Sequence, residues 1–321
     1  MATKRITIED IAREAGVGIG TVSRVLNNSP HVSEQTRQRV LDVMKARQYK
    51  PSGVASKLAR QDGVESSIGL LLPDIGNHYF FEIFEAIYRK LRGLGIDLVI
   101  FNYEKHNPKV IQRILDAQVS ALLIFAFRLD ESEHEMLRRR NVRYLYIDYP
   151  MENEHAIYPD NYHGGTLAAQ YLLSKGCTRP LYIGVDPPAQ ANTDRHDGFV
   201  DELAKAGITE VAIRSCHLSE ADAYELGKQI VAENLHDGVF CYCDDIAAGC
   251  VQAIREAGSM MNVIGFDGVR ATAYLNLSTV SQEPARIGTT AASLIVEIME
   301  AKEDPPLYTE RFLPVLIDRG S

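Results

Sequence analysis

The sequence predicts an α/β protein carrying a small all-α head, on three observations. Up to about residue 47 the apolar residues recur at helical spacing only. From Ile68 onward short apolar runs alternate with amphipathic stretches, the pattern of parallel strands wrapped by helices. Charge divides along the same line: the formal net charge is −9, yet residues 1–61 carry 11 Lys+Arg against 5 Asp+Glu, a net of +6, leaving 23 against 38, a net of −15, on the rest. A basic head on an acidic body suits a head that meets a polyanion and a body that does not. With 321 residues and 45% hydrophobic content, the chain is long enough for roughly two domains with buried cores.

Three short helices are expected between Ile6 and Arg47. Thr7 can cap the first, with Asp10 three residues on as a weak capping box, and Ile8, Ile11, Ala12 and Ala15 fall on one face. Gly16 ends that helix. The second is expected over Ile19–Leu26 behind a turn at Gly16 to Gly18, and Ser33 caps a third that carries Val40, Leu41 and Met44. The stretch YKPSGVASKLARQDGVESS then reads as a hinge or linker.

Strands are expected at IGLLLP from Ile68, DLVIF from Asp97, ALLIF from Ala121, RYLYID from Arg143, LYIGV from Leu181, VAIRSC from Val211, GVFCYC from Gly238, NVIGF from Asn262, and a last PVLI. Their number fits one large sheet or two smaller doubly wound domains, and periodicity does not separate the two. No low-complexity tract or short-period repeat is present. No run of about 18 apolar residues offers a membrane span, and MATKRITIEDIAREAG places acidic residues where a secretory signal needs an apolar stretch. A cytoplasmic protein is expected. Cys177, Cys216, Cys241, Cys243 and Cys250 form an odd set without the spacing of a disulfide framework and are expected as reduced thiols.

The stretch AGVGIGTVSRVLNN sets Gly16, Gly18 and Gly20 in alternation ahead of a helix, as a dinucleotide-binding turn does. That turn needs G-x-G-x-x-G after a buried strand, whereas here Thr21 takes the third glycine's place and the preceding ITIEDIAREA is too charged for a central strand. No cofactor is expected. Two short helices joined by a tight glycine-containing turn match a helix-turn-helix, whose second helix lies in the major groove.

ITIEDIAREAGVGIGTVSRVLNN, HVSEQTRQRV, YKPSGVASKLA and IGLLLPD resemble, in order, the amino-terminal signature of the lactose repressor family. The likeness continues through YPDNYHGG from Tyr158, DRHDGF from Asp194, CDDIAAG from Cys243, VIGFD from Val263 and STVSQ from Ser278. It implies a sequence-specific DNA-binding regulator, most often a repressor. The implied layout is a helix-turn-helix domain at 1–48, a hinge helix and linker at 49–62, and an effector-binding and dimerisation core at 63–321. That core is expected as two doubly wound parallel-sheet subdomains of the periplasmic-binding-protein type: an N-subdomain of about 63–175 and 282–312, and a C-subdomain of about 176–280 and 313–321. Chain crossings are expected near Gly176, Thr279 and Leu313. The implied partners are a palindromic operator DNA, a second copy of the chain and a small sugar-like effector, with no membrane partner, no metal and no catalytic residue.

Within the head, Arg24 is the candidate for base contact, since a guanidinium bonds both acceptors of guanine. By resemblance Ile19 and Gly20 hold the other two base-facing positions. Gly20 has no side chain and Ile19 offers only apolar contact, so this helix carries less direct readout and more falls to the hinge or to DNA shape. Thr7, Thr21, Ser23, Asn27, His31, Ser33 and Thr36 match positions that hold phosphates. Leu58, in a hinge helix over Val54 to Ala59, is implied as a wedge into the minor groove. Gly18 departs from the serine usual in the family at the second helix's N-cap, a loss of only a few tenths of a kcal/mol.

For the body, the resemblance supplies Asp160, Arg195 and Asp267 as polar anchors, Tyr79 and Phe266 as wall, and Gln282 at a crossing. Three departures stand against copying the ligand: Cys243 replaces a small polar residue, Gly268 a frequent second carboxylate, and the loop from Ser259 to Asn262 is about four residues short. A sugar fits, as do a phosphorylated sugar and a nucleoside. A doubly wound enzyme is the first rival, and no G-x-S-x-G elbow, phosphate loop or H-E-x-x-H is present. A transport binding protein would share the body but needs export. A regulator answering to a protein partner, of the catabolite-control type, is opposed by Ala285, where a docking tyrosine is expected. The chain carries no leucine heptad after PVLI, so a dimer rather than a tetramer is expected.

Overall fold

The computed structural model describes residues 8–26, 32–47, 67–73, 76–104, 107 and 109–321. The chain divides into two compact units, Met1–Ser66 with Gln112–Val119 and Ser67–Ile111 with Ser120–Ser321.

The head holds helices α1 (Ile8–Ala15), α2 (Ile19–Leu26) and α3 (Glu34–Ala46). Ile11, Ala12, Ala15, Val22, Val25 and Val40 form its core, with Val17, Val32, Val43 and Met44 against it. Leu41, named with Val40 and Met44 on the expected third helix, is 42% exposed. On α3 Val40, Val43 and Met44 share the i, i+3, i+4 stripe, and Leu41 lies a quarter-turn outside it. Gly16 adopts φ +64°. Its N–H donates to the Arg13 carbonyl and the Val17 N–H to that of Ala12, closing α1 with the paired bonds of a Schellman motif. The glycine alternation therefore begins as a helix stop. Ser33 Oγ accepts from the Thr36 N–H at 3.3 Å and caps α3 as expected. Asp10 pairs with Arg13, and Thr7, Asn27, His31 and Leu58 lie outside the described residues.

The body answers the question that periodicity left open: its strands form two six-stranded sheets. The first uses β1 (Ser67–Leu72), β2 (Asp97–Asn102), β3 (Ala121–Phe125), β4 (Arg143–Ile147), β5 (Ala156–Pro159) and β11 (Thr309–Phe312). All are parallel, in the order β11-β5-β4-β3-β1-β2. The second uses β6 (Pro180–Val185), β7 (Ala212–Cys216), β8 (Gly238–Cys241), β9 (Asn262–Asp267), β10 (Ser278–Ser281) and β12 (Val315–Ile317). Its order is β12-β10-β9-β8-β6-β7, parallel except for β12, which runs antiparallel to β10. Each sheet thus repeats the doubly wound order 2-1-3-4-5, which opens a crevice at the carboxyl ends of its central strands. Central strands are continuous buried apolar runs, as in β3; β2 and β7 are edges, where Ile100 and Ile213 are exposed.

The helices are α4 (His78–Gly93), α5 (Lys109–Ala117), α6 (Glu131–Arg139), α7 (Asn161–Ser174), α8 (Gln190–Lys205), α9 (Glu220–Glu233), α10 (Asp244–Glu256), α11 (Ala271–Tyr274) and α12 (Pro284–Glu300). Asn77 caps α4 by accepting from the Phe80 N–H at 2.7 Å, and Tyr79, Phe80, Ile83, Ile87 and Leu91 bury one face of it. That face packs with α12 into the core over the first sheet. On the second sheet, α7 pairs with α8 and α9 with α10.

The chain passes between the sheets at three places. The first is Asp160, between β5 and α7, because α7 already packs on strands of the second sheet. The expected crossing at Gly176 is therefore about one helix too late. The second lies at Gln282 and Glu283, between β10 and α12, a few residues beyond Thr279, and the third is at Leu313 and Pro314. All five cysteines are free thiols.

Candidate functional site

In the head, α2 buries Val22 and Val25 and leaves Gly20 and Arg24 exposed, with Ile19 49% exposed. Residues 19, 20 and 24 span about 140° of the helix on the side away from the core, as a groove-facing surface requires. Thr21 and Thr36 are half-buried and Ser33 is exposed; Ser23 belongs to α2 by its backbone. Gly18 precedes α2 with its carbonyl accepting from the Val22 N–H at 3.2 Å, and it contributes no side-chain cap.

In the body, a polar cluster fills the crevice where the strand ends of both sheets meet. Arg195 of α8 is 3% exposed. Its Nε donates to Asn161 Oδ1 at 2.8 Å and one terminal nitrogen to the Tyr242 carbonyl at 2.6 Å. The same nitrogen lies 3.6 Å from Asp267 Oδ1, and the guanidinium stacks 3.7 Å above the Phe266 ring. Asp267 also accepts from Gln282 Nε2 at 2.6 Å. The Tyr79 hydroxyl lies 3.3 Å from Gln282 Oε1 and 3.1 Å from Asp148 Oδ1, so its single proton serves both. A continuous path of polar contacts therefore runs from Arg195 on one subdomain to Asp148 on the other.

Burial dominates the electrostatics. It pushes the Asp267 carboxyl well above its ordinary range against the pull of Arg195, and raises Asp148 to about 6. Asp244, at the start of α10, is raised by burial to about 7. Its two oxygens accept from the Gly268 and Val269 N–H groups at 2.7 and 2.9 Å and from the Thr279 hydroxyl at 2.7 Å. Those bonds fix the turn after β9, where Asp267 holds φ +115° and Gly268 φ +76°. A Cβ on Gly268 would come within 2.1 Å of Ser281 Oγ, so a second carboxylate has no room at this position.

The family model for bacterial regulatory proteins of the lacI family matches residues 7–52, and that for a periplasmic binding protein-like domain matches 169–321. The HTH-type transcriptional repressor PurR of Mannheimia succiniciproducens is 30% identical over 98% of both chains. The chain belongs to the lacI family. The ribose operon repressor of Halalkalibacterium halodurans is 29% identical over 95% of this chain and 93% of its own. The Lac repressor dimer, solved bound to operator and the anti-inducer ONPF, shares the fold, with a TM-score of 0.70 at 24% identity over 98% of each chain. The chain is thus a DNA-binding transcriptional regulator, and no described helix is long and apolar enough to cross a membrane.

In this lacI-family chain, Tyr79, Arg195, Phe266, Asp267 and Gln282 come together as one cluster. Asp160 does not join it: its carboxylate caps α7 by accepting from the His163 N–H at 2.9 Å and faces Arg311 at 3.4 Å. Its neighbour Asn161 touches Arg195 instead. Phe266 is fully buried and carries Arg195 as a floor rather than a wall. Arg195 pairs with neither sequence neighbour, since Asp194 accepts from Gln190 and Asp197 lies beside His196. Sequence reasoning missed Asp148, Asn161, Tyr242 and Asp244. Asp148 carried a usable signal: it ends RYLYID as Asp267 ends VIGFD, an acid at the carboxyl end of a buried parallel strand.

Proposed function

We propose that this regulator is a cytoplasmic homodimeric repressor without catalytic activity, controlled by a small, neutral, hydroxyl-rich effector such as a sugar. The observation that carries the effector is the charge balance of the cleft: two carboxylates, Asp148 and Asp267, face one guanidinium, Arg195. Arg195 is already paired, so a phosphate or carboxylate would bury its charge here without a free cation, whereas hydroxyls accept from Arg195 and exchange hydrogen bonds with the acids. A relative named as a ribose operon repressor fits this class. Exposed Phe81 and Tyr88 on α4 and Ile100 on β2 give an apolar face that supports the dimer.

By this reading Arg24 reads a base, Ile19 and Gly20 sit in the groove, and Thr21, Ser23, Ser33 and Thr36 meet phosphates. Two reading heads on a two-fold dimer match a palindromic operator. The test has two arms. A thermal-shift screen of the full chain against neutral sugars, sugar phosphates and nucleosides is expected to give a shift with a neutral sugar; at about 100 times the dissociation constant it adds roughly 2.7 kcal/mol. A shift with phosphorylated sugars alone would overturn the effector class. In an operator-binding assay, Arg24→Ala is expected to lose specific binding while keeping the ligand shift; retained operator specificity removes α2 from base reading.

A further inference from the structure

α4 does more than carry Tyr79 into the cleft. Its residues 78, 82 and 85, at i, i+4 and i+7, share one face and meet the second subdomain at two points. His78 Nδ1 lies 2.5 Å from Asp245 Oδ1, and the His78 N–H donates to Asp245 Oδ2 at 3.3 Å. Glu82 accepts from the Arg270 backbone N–H at 2.7 Å and lies 3.3 Å from its Nε, while Glu85 accepts from its guanidinium at 2.6 Å. Asp245 and Arg270 belong to α10 and to the turn after β9, beside the Asp244 that fixes that turn.

We propose that this face of α4 is a two-point clasp that holds the subdomains together in the absence of effector, and that its His78–Asp245 half weakens when His78 loses its proton. The charged groups facing His78 are Asp245 on α10, Glu220 on α9 and Glu82 on its own helix, all carboxylates. The hydrogen bond to Asp245 raises the His78 pKa, with burial opposing it. His78 therefore binds its proton more tightly in the clasped form than in an open one. Acid favours the clasp, and the contribution fades as pH rises through the raised value. The Arg270 half keeps its charge throughout and does not share this dependence.

The full-length protein, labelled with one fluorophore on each subdomain, is followed by energy transfer without effector from about pH 6 to 8.5. Burial raises Asp148 to about 6 and Asp244 to about 7, inside this range, so the reading is the difference between variants rather than the pH response alone. In the wild type the closed-to-open ratio is expected to fall roughly threefold as pH rises, as for a half-exposed pair. His78→Gln follows a flatter curve, and Arg270→Ala opens the molecule at every pH with the wild-type slope. Equal slopes in the wild type and His78→Gln overturn the proposal, as does a closed fraction that Arg270→Ala leaves unchanged. A ring nitrogen of His78 and one carboxylate oxygen each of Glu220 and Asp245 lie within 4.8 Å of one another. A closed fraction that rises with added zinc and not with acid assigns them to a metal and also overturns the clasp.

Discussion

Gly18 and Arg195 show how one side chain sets a local balance. At Gly18 the helix start of α2 has its backbone bond and no side-chain acceptor, and a Cβ there meets nothing within 4 Å. Gly18→Ser is therefore expected to stabilise the head by a few tenths of a kcal/mol, read as a small rise in its melting temperature; a fall would mean that the cap is already satisfied in another way. Arg195 is the larger case, because its removal leaves Asp267 and Asp148 without their cation. Arg195→Met should cost about 3–5 kcal/mol in denaturant unfolding near neutral pH. The loss should shrink near pH 5, below the value of about 6 to which burial raises Asp148. The sequence named Arg195 from its place in DRHDGF, but its partners were not readable there. Asp194 and Asp197 were the near candidates, and the side chain points inward away from both.

Pairs of helices hold these residues in place, and the closest pair is α7 with α8. A Cβ on Gly165 would come within 2.0 Å of the Arg195 carbonyl oxygen, and one on Gly198 within 2.0 Å of that of Tyr162. These glycines, visible in YPDNYHGG and DRHDGF as family letters, let two backbones touch so that Asn161 reaches Arg195. Gly165→Ala is expected to destabilise the body by about 1–3 kcal/mol and to weaken effector binding with it, measured by thermal melting and ligand titration. A melting temperature equal to wild type would show that the helices separate without penalty. At this level the strands from Ile68 to Asn262 were readable as apolar runs. β5, β10 and β11 were not, because four-residue strands with polar or proline positions leave too short a pattern. Leu41 shows the complementary limit: apolarity alone does not say which flank of α3 turns inward, and Leu41 is exposed.

Across the whole molecule, buried acids couple stability to pH. Burial raises Asp148 to about 6 and Asp244 to about 7, so between about pH 4 and 7 the folded body binds more protons than the unfolded chain. Unfolding free energy then falls as pH rises through that window, and the melting temperature is expected to be higher near pH 5.5 than near pH 8. His134 and His155, held neutral by burial, act in the opposite sense below their ordinary range. Asp244→Asn isolates the acid's share, since an amide oxygen still accepts from the Gly268 and Val269 N–H groups. A fall in melting temperature as steep in that variant as in the wild type would count against Asp244 as a source of the pH response.

The head and body, the glycine stop at Gly16, most strands and the lactose-repressor likeness all followed from the order of residues, because periodicity, capping and charge are properties of neighbours along the chain. The division into two sheets, the crossing at Asp160, the path from Arg195 to Asp148 and the clasp on α4 did not. Tyr79 and Asp148 are 69 positions apart, Tyr79 and Gln282 203, and His78 and Asp245 167. A local pattern reports which face of an element is buried, whereas the partner covering that face is chosen by the packing of every other element.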